Sequence, residues 1–239
     1  MPIYGKMITS GDVIEYYEYF SLREIGKQGS SRGSNINLTE EWKKDINITN
    51  AQKTLCRTIN TNFTRDDLFF TFGYREKVTE EFARKELQLF FRRLKYYLKR
   101  NDKPKLKYIA VTEAKNTRVH HHVIMNFVDL NIVGKLWTHG GFYNIHLYSE
   151  DYAGLAQYIT KESIKNDHKK RWSQSRNLDR PKVDVKQLKK FSKELKPKKG
   201  YRIIESYSSY NDVTGHVKYM KSVKTTGFDI SIRNEVNTE

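Results

Sequence analysis

Apolar positions along the chain switch between a period of two and a period of three to four, which predicts strands and helices in alternation. DVIEYYEYF at 12–20 is dominated by β-branched and aromatic residues and reads as a strand. GKQGSSRGSN at 26–35 is a loop by its Gly and Ser content. Ile48, Ala51, Leu55 and Ile59 recur at helical spacing, and DLFFTFGY at 67–74 is an apolar run of strand length. Thr79, followed by Glu80 and Glu81, caps a helix expected to run to about Arg100, with Ala83, Leu87, Phe90, Leu94 and Tyr97 as its buried stripe. KLKYIAVTEA at 105–114 and VHHHVIMNF at 119–127 read as a hairpin with its turn at 115–117. A turn through Gly140-Gly141 leads to a strand at 142–149 and a helix at 151–164. Beyond 165, YRIIESY and HVKYMKSV hint at short strands. The fold class is therefore α+β, with a central antiparallel sheet of about five strands and flanking helices. Three segments are expected: an N-terminal strand and helix extension at 1–66 packed on the core, the core itself at 67–165, and a basic C-terminal extension at 166–239.

Charge changes the picture most. The 239 residues hold 44 Lys and Arg against 28 Asp and Glu, a net +16. Residues 84–107 carry ten basic and two acidic residues, and 161–199 carry fifteen and five, so these two runs supply +8 and +10 and the remainder is slightly negative. Clustering of that kind points to a polyanion. The 16 Tyr, 12 Phe and 3 Trp favour nucleic acid over an acidic membrane surface, because bases stack on aromatic rings. The single cysteine, Cys56, excludes an intramolecular disulfide framework and a Cys-based zinc site, and fits a reducing cytoplasm. The N-terminus lacks a basic stretch followed by an apolar one, and no run approaches a membrane span, so a cytoplasmic location is expected.

The candidate chemistry begins at His120-His121-His122. A strand alternates its faces, so His120 and His122 point one way and His121 the other. Two imidazoles on one sheet face form half of a metal site, and Glu113, across the short hairpin, is the leading third ligand. Such a mixed N/O set leaves positions open for water and phosphate oxygens and suits a catalytic metal: Mn, Mg, Fe or Zn. His139, His146, His168 and His216 lack such an arrangement and read as structural or surface residues. On the helix at 151–164, Tyr158 and Lys161 share a face with Gly154, while Tyr152, Leu155, Ala156 and Ile159 take the core side. A tyrosine beside a lysine can attack a phosphodiester whose charge a metal withdraws. The spacing alone is weak, since Tyr74/Lys77 and Tyr96/Lys99 share it.

In order along the chain, FFTFGY (69–74), HHHVIMN (120–126) and YITK (158–161) resemble the three motifs of the HUH-superfamily rolling-circle replication initiators, the Rep endonucleases of bacterial plasmids, phages and integrative elements. The flanks NFTRDDLFFTF and RWSQSRNLDRP agree, so the resemblance covers roughly 50–181. It implies a ferredoxin- or RRM-like sheet with the two histidines on its central strand and the tyrosine helix beside them. It further implies a DNA nickase in which His120, His122 and Glu113 hold Mg or Mn, Tyr158 attacks the scissile phosphate to leave a 5′-phosphotyrosine, and Lys161 assists. The implied partner is single-stranded or hairpin origin DNA, with contacts at Arg92, Arg93, Lys99 and Arg100 in the first basic run and at Lys165, Lys169, Lys170, Arg171, Trp172 and Arg176 in the second. Tyr152, six residues from Tyr158, would point elsewhere, so a single nucleophile is expected. No G-x-x-x-x-G-K-[ST] occurs, so unwinding would fall to a host helicase or to an already extruded hairpin. Two alternatives share parts of this reading: an HUH transposase, and a non-catalytic RRM-like nucleic-acid-binding module, although the Gly and aromatic pattern usual for the latter is missing.

Overall fold

The computed structural model describes residues 2–21, 40–114, 118–161, 171–211 and 215–225. Along the chain run β1 (Ile3–Ser10), β2 (Val13–Phe20), α1 (Glu40–Asn62), β3 (Leu68–Phe72), α2 (Glu80–Arg100), β4 (Tyr108–Glu113) and β5 (His120–Met125). They are followed by α3 (Leu130–Leu136), β6 (Phe142–His146), α4 (Ala153–Thr160), β7 (Ser173–Gln174), β8 (Lys182–Leu188), β9 (Tyr201–Asn211) and β10 (Gly215–Lys224). These form two compact units, one of residues 1–46 with 180–239 and one of 47–179. The protein is α+β with antiparallel sheets, as its apolar periods predict. None of the described helices is long and apolar enough to cross a membrane.

The first unit is a five-stranded sheet in the order β8-β1-β2-β10-β9. This division cuts across the three segments read along the sequence, because β1 and β2 share their sheet with strands from beyond residue 180. Pairing between residues so far apart leaves no local period to read. Glu18, buried in this sheet, accepts hydrogen bonds from the Ser192 backbone N–H (2.8 Å) and hydroxyl (2.6 Å). Lys218, its register neighbour on β10, donates to the Ser192 and Lys193 carbonyls. The 189–193 segment is thereby tied to the sheet, and Phe191 packs edge-on against Phe20.

The second unit has the strand order β6-β3-β5-β4-β7, which makes β5 the central strand. Alternation along β3, β4 and β5 gives the sheet two apolar faces, each covered by helices. On one, Phe70, Phe72, Ala110, Val123 and Met125 pack against Ala83, Leu87, Phe90, Leu94 and Leu98 of α2 and Val133 of α3. On the other, Phe69, Ile109, Val111 and Ile124 pack against Leu55, Cys56 and Ile59 of α1 and Ala156 and Ile159 of α4. Thr79 caps α2, its hydroxyl accepting from the Phe82 N–H, so the helix starts where the Thr-Glu-Glu signal places it. Phe91 and Leu98 join the buried stripe, and Tyr97 lies at its edge. The turn at 115–117 and the predicted helical residues 162–164 lie outside the described residues.

Gly140 holds the end of β3 in place. A Cβ there would collide with the Gly73 carbonyl and lie 2.8 Å from the Tyr74 Cα, and the flanking residues bond Gly73 N–H to Gly141 O (2.9 Å) and Arg75 N–H to His139 O (3.0 Å). Backbone cannot retreat as a side-chain tip can. Gly140→Ala is expected to lower the unfolding free energy by about 1–3 kcal/mol in a urea titration.

Candidate metal and nucleophile site

The hairpin register sets the site. Glu113 of β4 lies directly opposite His120 of β5, and Val111 opposite His122. Glu113, His120 and His122 thus share the face that α1 and α4 cover, and their ligand atoms all lie within 4.8 Å of one another. His120 Nε2 is 3.2 Å from His122 Nε2, and Glu113 Oε2 is 3.3 Å and 3.5 Å from them.

Proton bookkeeping tells which imidazole nitrogens face inward. His120 Nδ1 meets the Arg118 carbonyl at 3.0 Å. A carbonyl only accepts, so Nδ1 carries the hydrogen and Nε2 presents a lone pair. His122 Nδ1 meets the Thr71 hydroxyl at 3.3 Å, and with Thr71 as acceptor its Nε2 lone pair also turns inward. Burial first, and the neighbouring His120 second, push the His122 pKa down to about 4, which keeps this ring neutral and able to ligate. Two lone pairs and a carboxylate oxygen converging at 3.2–3.5 Å repel one another unless a cation lies among them. First-coordination bonds of about 2.0–2.2 Å put neighbouring donor atoms roughly 3.0–3.6 Å apart, so this set fits a divalent metal. The triad can hold a metal ion.

His121 sits on the other face, as strand alternation requires, and is fully buried. The Tyr74 hydroxyl donates to the Ala83 carbonyl (3.1 Å), so at 2.8 Å it must accept from His121 Nε2. That leaves His121 Nδ1 to accept from Thr112 Oγ1 at 3.0 Å, and no lone pair remains for a metal. Burial pushes its pKa down to about 3, with Arg84 and His120 adding to the effect, and burial drives the Tyr74 phenol well up. His121 is thus a neutral strut between the sheet and α2. His139, read as structural from sequence, pairs with Glu86 of α2 at 2.9 Å.

Tyr158 stands beside the triad. Its ring centroid is 5.2 Å from that of His122, and the side chain is 57% exposed. Lys161 is exposed at the C-terminal cap of α4, and its backbone N–H bonds the Tyr158 carbonyl. Tyr152 is buried at the N-terminal cap of α4. An eight-residue helix with no side-chain N-cap is marginal on its own. Residues that the sequence reading missed hold it. The Asn60 side chain accepts from the Tyr152 N–H (3.1 Å) and donates to Asp151 Oδ1 (2.9 Å), and Cys56 Sγ also meets Asp151 Oδ1 at 3.2 Å. At the far end, Gln52 Nε2 contacts Thr160 Oγ1 at 3.4 Å. A clamp between residues about ninety positions apart has no local signal.

The expected DNA contacts separate. Arg92, Arg93, Lys99 and Arg100 are exposed on α2, which covers the face opposite the triad. Arg171 donates to the Asn47 carbonyl at 3.0 Å, and Trp172 packs on the α1/α4 side while its Nε1 donates to Gln174. Arg176 is exposed just past β7. Lys165, Lys169 and Lys170 lie outside the described residues.

Residues 67–163 match the family of replication-associated protein ORF2/G2P. The ORF2/G2P match spans all three motifs and bears out the resemblance read from them. No curated protein and no solved structure matches the chain. The ORF2/G2P segment begins at β3 and runs through the triad and α4, so the clamp from α1 lies outside it.

Asn60→Ala strips the Tyr152 N–H and the Asp151 carboxylate of a buried partner. It is expected to lower the unfolding free energy by about 1–3 kcal/mol, read by chemical denaturation. Asn60→Asp, which sets a second carboxylate against Asp151, should cost more.

Proposed function

We propose that this replication-associated protein is a metal-dependent DNA nickase and strand transferase that initiates rolling-circle replication. The observation that carries the reading is the placement of Tyr158, exposed and with its ring tilted at 5.2 Å from that of His122, at the edge of a His120/His122/Glu113 triad fit for a metal. The Tyr158 phenol attacks the phosphorus of a single-stranded or hairpin origin. A Tyr158 Oη–P bond forms, the P–O3′ bond breaks, and the leaving oxygen takes a proton to become a free 3′-OH. The 5′-phosphotyrosine conserves the bond energy, so the reverse attack by a 3′-OH rejoins a strand without ATP. Mg or Mn held by the triad would supply Lewis acidity toward the phosphate oxygens and fix their orientation. Lys161, on the exposed end of the same helix, offers its ammonium to the charge that develops there. Thr71 and the Arg118 carbonyl hold the two imidazoles in the ligating tautomer.

The phosphate backbone is held by exposed lysines. Lys182 and Lys186 on β8, with Lys189, Lys190, Lys193, Lys196, Lys198 and Lys199 after it, are all exposed. Their role is electrostatic and independent of sequence. The protein acts in the cytoplasm of a bacterial host, where a host helicase or an extruded hairpin supplies the single strand.

Incubation with origin single strands and Mn is expected to give an SDS-resistant protein–DNA adduct. Tyr158→Phe and EDTA should each abolish it. An adduct undiminished in Tyr158→Phe would remove Tyr158 as the nucleophile, and tight binding with no cleavage would favour the non-catalytic binding module. Replacing four or more of the 182–199 lysines should weaken binding to all sequences and flatten the dependence of log K on log salt. Loss of affinity for one sequence alone would contradict that role.

A further inference from the structure

Beside Tyr158 lies a cavity of about 450 Å³ that the catalytic reading does not use. Phe69, Ile145, Tyr148, Gly154, Leu155 and Tyr158 line it. Two of these residues also touch the triad: Phe69 stacks on His122 at 5.6 Å and 13°, and the Tyr158 ring is 5.2 Å from the same imidazole. The cavity therefore opens directly off the place where a phosphate would meet the tyrosine.

Its lining is mainly apolar, with His146, Ser149 and Asp151 as its polar members. Tyr148 is 77% exposed at the rim, an aromatic ring largely left to solvent. Gly154 is the stronger sign. It is the second residue of α4, has no positive φ, and a Cβ built on it meets no atom within 4 Å. Neither backbone conformation nor packing calls for glycine there, and alanine in the first turn would strengthen so short a helix by up to about 1 kcal/mol. What a side chain at 154 would obstruct is the cavity, one turn from Tyr158.

We infer that this cavity is a nucleobase subsite: it takes the unpaired base of the nucleotide adjoining the phosphate at Tyr158, stacked against Tyr148 and Phe69, and so contributes to the choice of nick site. The inference rests on the reading of Tyr158 as the residue that meets a DNA phosphate. A base that enters such a cavity cannot be paired, which selects single-stranded or unpaired hairpin DNA over duplex.

The test separates binding from chemistry. The full-length wild type and Gly154→Met each select from a randomised single-stranded DNA library in EDTA, and the bound strands are sequenced. Methionine favours the helix, so Gly154→Met should melt at or above the wild-type temperature and still fill the cavity. The wild type is expected to show a base preference at one position that falls about tenfold in Gly154→Met, while preferences elsewhere persist. Tyr148→Ala, at an exposed site that does not support the fold, should weaken the same preference. With Mn added, the attachment point in the wild-type adduct should adjoin that position. Unchanged preferences in both variants, or none in the wild type, overturn the subsite. Lost preference with no adduct in Mn leaves the base subsite standing and defeats the nickase reading, and an adduct with unchanged preference does the reverse.

Discussion

The pairing of β4 with β5 is the constraint on which the rest depends. In one register Glu113 faces His120, Val111 faces His122, and His121 faces Thr112. A slip of a single residue would send His120 and His122 into the α2 core and turn His121 toward α4. The register is held from the core: Val123 and Met125 are fully buried on the α2 side and Ile124 on the other. The hydrogen-bond chain from Thr112 through His121 and Tyr74 to Ala83 holds it a second time. His121, the one histidine of the three with no lone pair left for a metal, thus fixes the direction of the other two.

The same two-faced sheet divides labour between its helices. The face under α2 and α3 is packed with Phe70, Phe72, Phe90 and Trp137, whose rings meet at centroid distances of 4.9–5.7 Å, and it supplies rigidity. The other face carries the polar cluster, and its covering helix α4 is short and held by side chains of α1. A short helix clamped at both ends holds an exposed tyrosine at a fixed distance from residues that could hold a metal ion, the kind of positioning that the proposed reaction requires.

Much of this was legible in the sequence because it is local. The alternation of HHHVIM gives faces, Thr79-Glu80-Glu81 gives a helix start, and the Tyr158/Gly154 spacing gives an exposed helix side. The meeting of Glu113 with His120 was legible because a short hairpin brings the two together with little freedom. What stayed hidden is non-local. β1 has Gly5 and Lys6 in its middle and draws its strand character from pairing with β2 and β8. The Asn60 clamp joins residues ninety positions apart. The two basic runs, on α2 and after α4, both read as DNA contacts, but charge along a sequence does not say which side of a sheet it reaches.

One sheet face brings His120, His122 and Glu113 together as a set that could hold a metal ion, while His121 faces the other way. Calorimetric titration of the full chain with Mn²⁺ tests it most directly. One Mn²⁺ per chain is expected for the wild type and for His121→Phe, with affinity reduced at least about tenfold in Glu113→Gln and in His122→Ala. Wild-type affinity in Glu113→Gln, or loss of the ion in a folded His121→Phe, would contradict it.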